Sequence, residues 1–260
     1  MLNLKTSDKD LFSKNGYIIK DLFSKNEKFK EVSLEFKSKI KEEFLNKNCS
    51  NLGGFKSGNL NIHPGEFGKN ILLLLNQLNF KEYFNFLTND DIEKYNIFFG
   101  GNLNLRNSKN QFFHTDGNWN PRMIIVNIAT SDIDLNNGPL EIIEGTHLLN
   151  IEYWKFALKK FFLKKKKLEL KFGQILIREH RLWHRGTKNK TKNFREMMGI
   201  VFLKKKNQIQ NSNESTKLYL HSNIFGNSKK EKFKEFIFLN FKFILFFYKI
   251  LISIVKKKKI

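Results

Sequence analysis

The sequence predicts a mainly β protein with flanking helices, a sandwich or barrel in its core. From Tyr95 onward, apolar residues come in short runs broken by Gly, Asn and Asp, the pattern of strands joined by turns. Upstream, residues 26–46 and 70–86 place apolar side chains at helical spacing. No internal repeat recurs at a fixed period, which excludes a solenoid or propeller. A chain of 260 residues is long enough to bury a full core and is read as one main domain.

Taken in order, Asn15-Gly16 is a turn and Tyr17-Ile18-Ile19 a short strand. Asn26 to Asn46 carries no Gly or Pro and is expected to be a helix. Asn51 to Gly68 is rich in Gly and Asn and is expected to be a loop. Asn70 to Phe86 is expected to form one or two amphipathic helices. Strands are expected at Asn96–Phe99, Asn102–Arg106, Phe112–Asp116, Met123–Ala129, Leu140–Ile143, Leu168–Phe172, Ile175–Arg178 and Met197–Leu203. The polar stretch Lys204 to Lys232 marks the end of this domain. The expected division is therefore 1–222, with a β core over about 95–203, and a tail of 223–260.

Composition narrows the function. The chain has 47 Lys and Arg against 25 Asp and Glu, a formal net charge of +22. Such a balance suits anionic partners, nucleic acid or membrane. The lysines are scattered or in short runs such as Lys164 to Lys167, with no base-stacking aromatics interleaved, so a nucleic-acid role is disfavoured and compositional drift is the plainer source of the charge. Cys49 is the only cysteine, which excludes an intramolecular disulfide and a cysteine-rich zinc site and suits a reducing compartment. Met1 to Lys14 lacks the apolar core of a secretory signal, so the expected location is cytoplasmic.

The tail is unusual. Ile237 to Val255 is strongly apolar but holds Asn240, Lys242, Lys249 and Ser253, then Lys256 to Lys259. Lys242, Lys249, Ser253 and Lys256 fall on one face of a helix, with Phe and Ile around the rest. Two central lysines disfavour a bilayer span. A helix lying on an anionic membrane surface through 237–259 and a helix packed on protein both remain open.

The chemistry begins at His114-Thr115-Asp116. On a strand, positions i and i+2 share a face, so His114 and Asp116 can line one cavity. A second imidazole from a distant strand would complete a facial set of three metal ligands and leave the opposite side open. His184 and His180 both compete for that place; by residue type alone either could serve.

The series Asn136-Asn137-Gly138-Pro139-Leu140-Glu141, then Gly173 to Arg178, then Leu182-Trp183-His184-Arg185-Gly186-Thr187 and Arg195, resembles the phytanoyl-CoA dioxygenase family of iron(II)/2-oxoglutarate-dependent oxygenases. The resemblance runs over roughly Tyr95 to Leu203, with a weaker echo at Asn15 to Leu22. It implies a double-stranded β-helix, a cupin-like jelly roll, with helices outside. It implies that His114, Asp116 and His184 ligate Fe(II), and it favours His184 over His180 because Arg195 follows eleven positions later, as in the family. It implies that Arg195 pairs with the distal carboxylate of 2-oxoglutarate, a task suited to the planar guanidinium fork. Thr187 resembles a hydroxyl donor to the same carboxylate, and Asn104 a contact at the keto-acid end. The alternatives are a turn-stabilising hydroxyl for Thr187 and a solvent-facing strand residue for Asn104. The resemblance gives His147 a structural place. His63 and His221 lie in loop-like polar surroundings with no evident role, and Trp119 and Arg122 follow the ligand turn toward the pocket mouth, with packing and solvent as equal alternatives.

Two positions depart from the family pattern. Gln174 stands where Asp is usual, and Glu144 where Pro is usual. Both put turn geometry, not ligands, in question. The intact Asp116 argues against the halogenating subgroup, which needs that coordination position for halide. The expected activity is oxidation of a small metabolite, or of a lipid- or envelope-linked intermediate, by O2 and 2-oxoglutarate, with hydroxylation as the outcome. A non-catalytic cupin-like binding module and a nucleic-acid demethylase are the rival readings.

Overall fold

The computed structural model describes residues 2–47, 49–205 and 215–256. Seven strands form the larger sheet. They are β1 (Tyr17–Asp21), β2 (Asn59–His63), β3 (Tyr95–Asn104), β4 (Met123–Ile128), β7 (Gln174–Glu179), β9 (Arg195–Lys204) and β10 (Tyr219–Ser222), in the order β1-β7-β4-β9-β3-β2-β10. Three form the smaller sheet: β5 (Leu140–Ile143), β6 (Lys165–Leu168) and β8 (His184–Gly186), in the order β6-β5-β8. Every strand pairing is antiparallel. Two antiparallel sheets with a ligand-sized space between them, and helices outside, make the expected jelly roll.

The large sheet has two faces because its strands alternate. Ile124, Val126 and Ile128 on β4, Ile175 and Ile177 on β7, and Met198, Ile200 and Phe202 on β9 join the main core. That core is closed by helices α2 (Glu27–Asn46), α3 (Glu66–Asn76) and α4 (Phe80–Thr88), which contribute Phe29, Phe36, Ile40, Leu75, Phe80 and Phe84. The opposite parity, including Ile125, Asn127, Leu176, Arg178, Met197, Gly199 and Val201, faces a cavity of about 430 Å³ between the sheets. Burying the outer face thus obliges the inner face to line the cavity. At its far end a second core containing Tyr17, Ile142, Leu168, Leu176 and Leu182 joins the two sheets.

The helices are delimited as their sequences require. Asn26 caps α2, its side chain accepting from Phe29 N at 2.8 Å, worth about 1 kcal/mol. Helix α1 (Thr6–Asn15) ends at Gly16 with φ +82°, and a Cβ there would lie 2.5 Å from His147 Nδ1. Glycine at this turn therefore lets the His147 ring, which donates to Ser13 O at 3.1 Å, pack against the chain.

Four expectations are corrected. The segment Asn51 to Gly68 is not all loop, since it contains β2; Leu60 and Ile62 alternate with polar neighbours there, a period masked by the surrounding Asn and Gly. The two strands expected around Gly100-Gly101 are one strand, β3, paired with β9 along its whole length, with Gly100 directly opposite Gly199. Phe112 to Asp116 is not a strand; only His114 makes a bridge, to His184. The strand expected at Leu168–Phe172 lies earlier, at Lys165–Leu168, with Leu170 continuing as a single bridge to Ile133. The paired partner, not hydropathy, decides each of these boundaries, and three lysines in β6 conceal its strand character.

The tail forms α6 (Lys229–Asn240) and α7 (Lys242–Lys256). Phe238 and Leu245 bury against Phe225, and Phe246 and Ile250 pack on the cluster of Phe113, Tyr153, Phe156 and Trp183 beside α5 (Tyr153–Lys159). No helix among the described residues is long and apolar enough to cross a membrane. The basic end at 257–260 lies outside the described residues.

Candidate active site

His114, Asp116 and His184 converge, their ligand atoms all within 4.8 Å of one another. His184 Nε2 lies 3.4 Å from Asp116 Oδ2, and His114 Nε2 lies 3.9 Å from Asp116 Oδ1. The convergence does not come from i and i+2 on one strand. His114 is held by reciprocal backbone hydrogen bonds to His184, each 2.9 Å, so the two histidines face each other across a bridge with ring centroids 4.5 Å apart. Asp116 follows in a bend whose amide donates to His180 O at 2.9 Å.

Both rings are oriented by the same device. His114 Nδ1 lies 2.9 Å from Phe112 O, and His184 Nδ1 lies 2.9 Å from Leu182 O. A carbonyl can only accept, so each Nδ1 carries the proton and each Nε2 presents a lone pair to the shared space. Burial, together with Arg178 nearby, pushes the His184 imidazole down to about 3, and burial also lowers that of His114. Both rings are therefore neutral at pH 7, as metal ligation would require. Burial alone would raise the Asp116 carboxyl, but His184, Arg178 and His114 outweigh it and hold the group well below the usual carboxylate range.

His180 is excluded as the third ligand. It is fully buried, with Nδ1 accepting from Met123 N at 2.9 Å and Nε2 donating to Asn118 O at 2.9 Å. Both nitrogens are committed to backbone.

Sequence reasoning missed Arg178. Its Nη2 sits 2.7 Å from Asp116 Oδ2 and its Nε donates to Asn127 Oδ1 at 3.0 Å. The signal was present: the arginine that ends the run Ile175-Leu176-Ile177-Arg178 shares the parity of Leu176, opposite to Ile175 and Ile177, and a charged side chain in such a strand demands a buried partner. Gln111 was also missed. It lines the cavity, and its Oε1 accepts from Gly186 N at 2.9 Å.

Arg195 lines the same cavity and is 4% exposed. Its Nη2 donates to Gly138 O at 2.7 Å, its Nη1 reaches Asn102 Oδ1 at 3.4 Å, and its Nε is buried without a partner among the described residues. Burial lowers its pKa to about 10, so it is charged at neutral pH. Among the described charged groups lining the cavity, Asp116 pairs with Arg178 and no carboxylate hydrogen-bonds Arg195; the nearest influence on it is Glu196, its buried neighbour outside the cavity lining. A buried guanidinium in that state is costly until an anion arrives.

The remaining candidates are placed as follows. Thr187 is buried and donates its hydroxyl proton to Pro139 O at 2.6 Å, the turn-stabilising alternative. Asn104, opposite Arg195 in the register, is fully buried rather than solvent-facing; its Nδ2 donates to Thr187 O at 3.0 Å. Arg122 does not sit free at a pocket mouth: it forks onto Glu179 with Nε at 2.9 Å and Nη2 at 2.5 Å. Trp119 stacks under Arg181, 4.7 Å from ring centroid to guanidinium carbon. His63 and His221 lie on β2 and β10, not in loops; His63 stacks on Tyr219 at 4.8 Å, and His221 lines the cavity. At the two departures from the family pattern, Gln174 Oε1 accepts from Lys171 N at 2.9 Å, and Glu144 Oε1 accepts from Tyr17 Oη at 2.6 Å. Gln174 thus stabilises its own turn, whereas Glu144 ties its turn to β1.

A second cavity, of about 180 Å³, adjoins the first through His114 and Gln111, which line both. Its other walls include Phe112, Phe225, Phe238 and Lys249.

Comparison with known proteins agrees with this architecture. Residues 107–197 match the family model described as Phytanoyl-CoA dioxygenase (PhyH), which bears out the resemblance read from the sequence. The fold is similar to that of AviO1 from Streptomyces viridochromogenes Tue57, with TM-score 0.61 and 13% identity over 78% of this chain and 96% of that one. It is similar to the epimerase SnoN in complex with Fe3+, alpha ketoglutarate and nogalamycin RO, with TM-score 0.59 and 12% identity over 76% of this chain and 82% of that one. It is also similar to EctD from S. alaskensis with 2-oxoglutarate and 5-hydroxyectoine, with TM-score 0.56 and 13% identity over 76% of each chain. No curated protein matches the sequence.

Proposed function

We propose, from a chain whose site-bearing segment matches the phytanoyl-CoA dioxygenase family model, that this protein is a non-haem iron(II)- and 2-oxoglutarate-dependent oxygenase. The reading assigns hydroxylation of a small metabolite or a lipid- or envelope-linked intermediate as its reaction. The observation that carries it is the joint presence, in one cavity, of the His114–Asp116–His184 cluster and the buried guanidinium of Arg195, whose described hydrogen-bond partners are neutral oxygens.

The residues fit the metal. Two neutral imidazoles with free Nε2 lone pairs and one ionised carboxylate are the donor set suited to ferrous iron, and three protein ligands leave positions open. Iron bound there supplies the redox chemistry that couples O2 and the oxidative decarboxylation of 2-oxoglutarate to oxidation of a C–H bond. The rest is the work of this chain. The carbonyls of Phe112 and Leu182 fix the imidazole tautomers and ring planes. Arg178 holds Asp116 deprotonated and in place. Arg195 receives the distal carboxylate of the keto acid with its unpaired charge, and Asn102 and Gly138 keep the guanidinium from swinging away. The walls of Ile125, Met197 and Val201 exclude water from the reacting centre.

The test is succinate formation from 2-oxoglutarate, with and without added ferrous iron. Iron-dependent succinate that disappears in His114→Ala is expected. No turnover by the wild type, or full turnover by His114→Ala, would sink the proposal. Once a substrate is found, a product heavier by one oxygen supports hydroxylation, whereas an isomer or a product two hydrogens lighter reassigns the outcome to epimerisation or cyclisation.

A further inference from the structure

Helix α7 is mounted with Lys242 and Lys249 inward. Lys242 Nζ donates to Asn110 O at 2.6 Å, and Lys249 Nζ lies 4.9 Å from the Phe112 ring centroid and 5.8 Å from that of Tyr153. Ser253 is fully buried, its Oγ accepting from Trp154 N at 3.2 Å. These contacts fix the rotation of the helix and turn its other face to solvent. Phe243, Phe247, Leu251 and Val255, four positions apart, form a stripe exposed by 63%, 60%, 60% and 80%, with Ile244 and Tyr248 beside it.

The patch extends beyond the helix. Lys160 Nζ lies 4.2 Å from the Phe246 ring and 5.3 Å from the Phe161 ring, joining α7 to a loop in which Phe161 and Phe162 are 70% and 92% exposed. Contiguous apolar surface on this scale marks an interaction site.

Charge selects the occupant. Residues 229–260 contain ten lysines and two glutamates, and one of these, Glu235, is buried on the amides of Gly54 and Ser57. Exposed Lys164 and Lys165 follow Phe162 and Leu163. A second copy of a chain with net charge +22 would bring like charges together, whereas an anionic lipid surface would neutralise them. No described helix can span a bilayer, so the geometry fits a helix lying in the interface.

We infer that the outer face of α7, with the Phe161-Phe162 loop, docks the protein on an anionic lipid surface. The experiment is co-flotation of the full-length chain with phosphatidylglycerol-containing vesicles and with pure phosphatidylcholine vesicles. The wild type is expected to float with the anionic vesicles at least about 10-fold more strongly, and less so at high salt. The triple variant Phe243→Ser, Phe247→Ser, Leu251→Ser alters only exposed positions and is expected to lose flotation while keeping its melting temperature. Equal flotation of the triple variant and wild type overturns the inference, as does equal binding to neutral and anionic vesicles by the wild type alone. Self-association of the wild type that the triple variant abolishes, without vesicle binding, also overturns it and assigns the face to a second copy. Removal of 229–260 is not the test, because Lys249 and Phe238 wall the second cavity beside His114.

Discussion

The two arginines of the cavity show two uses of one side chain. Arg178 holds its counter-ion: its charge meets Asp116 at 2.7 Å and its Nε meets Asn127 at 3.0 Å, with Nη1 alone lacking a partner among the described residues. Arg195 is unfinished: its described partners are a carbonyl and an amide oxygen, and its Nε has none. Both are nearly excluded from water. A buried charge with its counter-ion belongs to the structure, whereas a buried charge without one is a stored demand for a ligand. The contrast separates an arginine paired with the carboxylate of the site from one held only by neutral oxygens.

The largest expected effect lies outside this pair and would break the frame altogether. His184→Ala should abolish iron retention and bring succinate formation below detection, measured by metal content and product assay. Persistence of either would remove the reason for comparing the arginines.

Next come the arginines themselves. Arg178→Met removes one partner of a buried pair and should destabilise the fold by about 3–5 kcal/mol. Arg195→Met removes an unpaired charge, so the ligand-free melting temperature should hold or rise. The same variant should raise the KM for 2-oxoglutarate by roughly 10–100-fold, the worth of a charge-assisted contact of about 1.5–3 kcal/mol. Thermal denaturation with and without the keto acid tests both. Saturating 2-oxoglutarate near 100 times the wild-type Kd should stabilise the wild type by about 2.7 kcal/mol and Arg195→Met by only about 0.4–1.4 kcal/mol. Opposite signs for the two ligand-free variants are the sharpest form of the comparison.

A third cation enlarges it. Burial, with Lys234 nearby, pushes the Lys249 ammonium down to about 8 from its usual 10.5. The folded state therefore binds fewer protons than the unfolded state over this interval, and stability should rise as pH increases from about 8 to 10.5. Lys249→Met should flatten that rise and stabilise the protein below pH 8, as read from melting temperature against pH. The smallest effect is expected at Thr187. Its hydroxyl donates to Pro139, so Thr187→Val should leave the KM for 2-oxoglutarate within about 3-fold and cost on the order of 1 kcal/mol of stability.

The order of elements could be read from the sequence wherever one strand or helix carries its own period. Helix α2, β4, β5, β7 and β9 fall close to their expected places because their alternation or helical spacing is complete. Features imposed by a partner escaped. Strand β3 runs through two glycines because β9 pairs with it throughout, and β10 is hidden in a polar stretch because its pairing with β2 comes from far along the chain. At the site, the spacing of His114 and Asp116 pointed to the right pair for an incomplete reason: their convergence depends on a bridge to His184 and a bend, not on strand alternation. The choice between His180 and His184 could not come from residue type. It follows from which ring has both nitrogens spent on backbone.

Gly100 and Gly199 stand opposite each other on neighbouring strands in the cavity wall. A Cβ added to Gly100 would meet nothing within 4 Å, and one added to Gly199 would meet nothing closer than 3.7 Å. Neither glycine is needed to relieve crowding. What they supply is girth: the chamber is wide at this level because two facing side chains stop at hydrogen. Bulk tolerance can therefore be dialled at positions that carry no side chain of their own. Alanine or leucine at either position would narrow the chamber in steps, and the series of accepted molecules should shorten in the same steps.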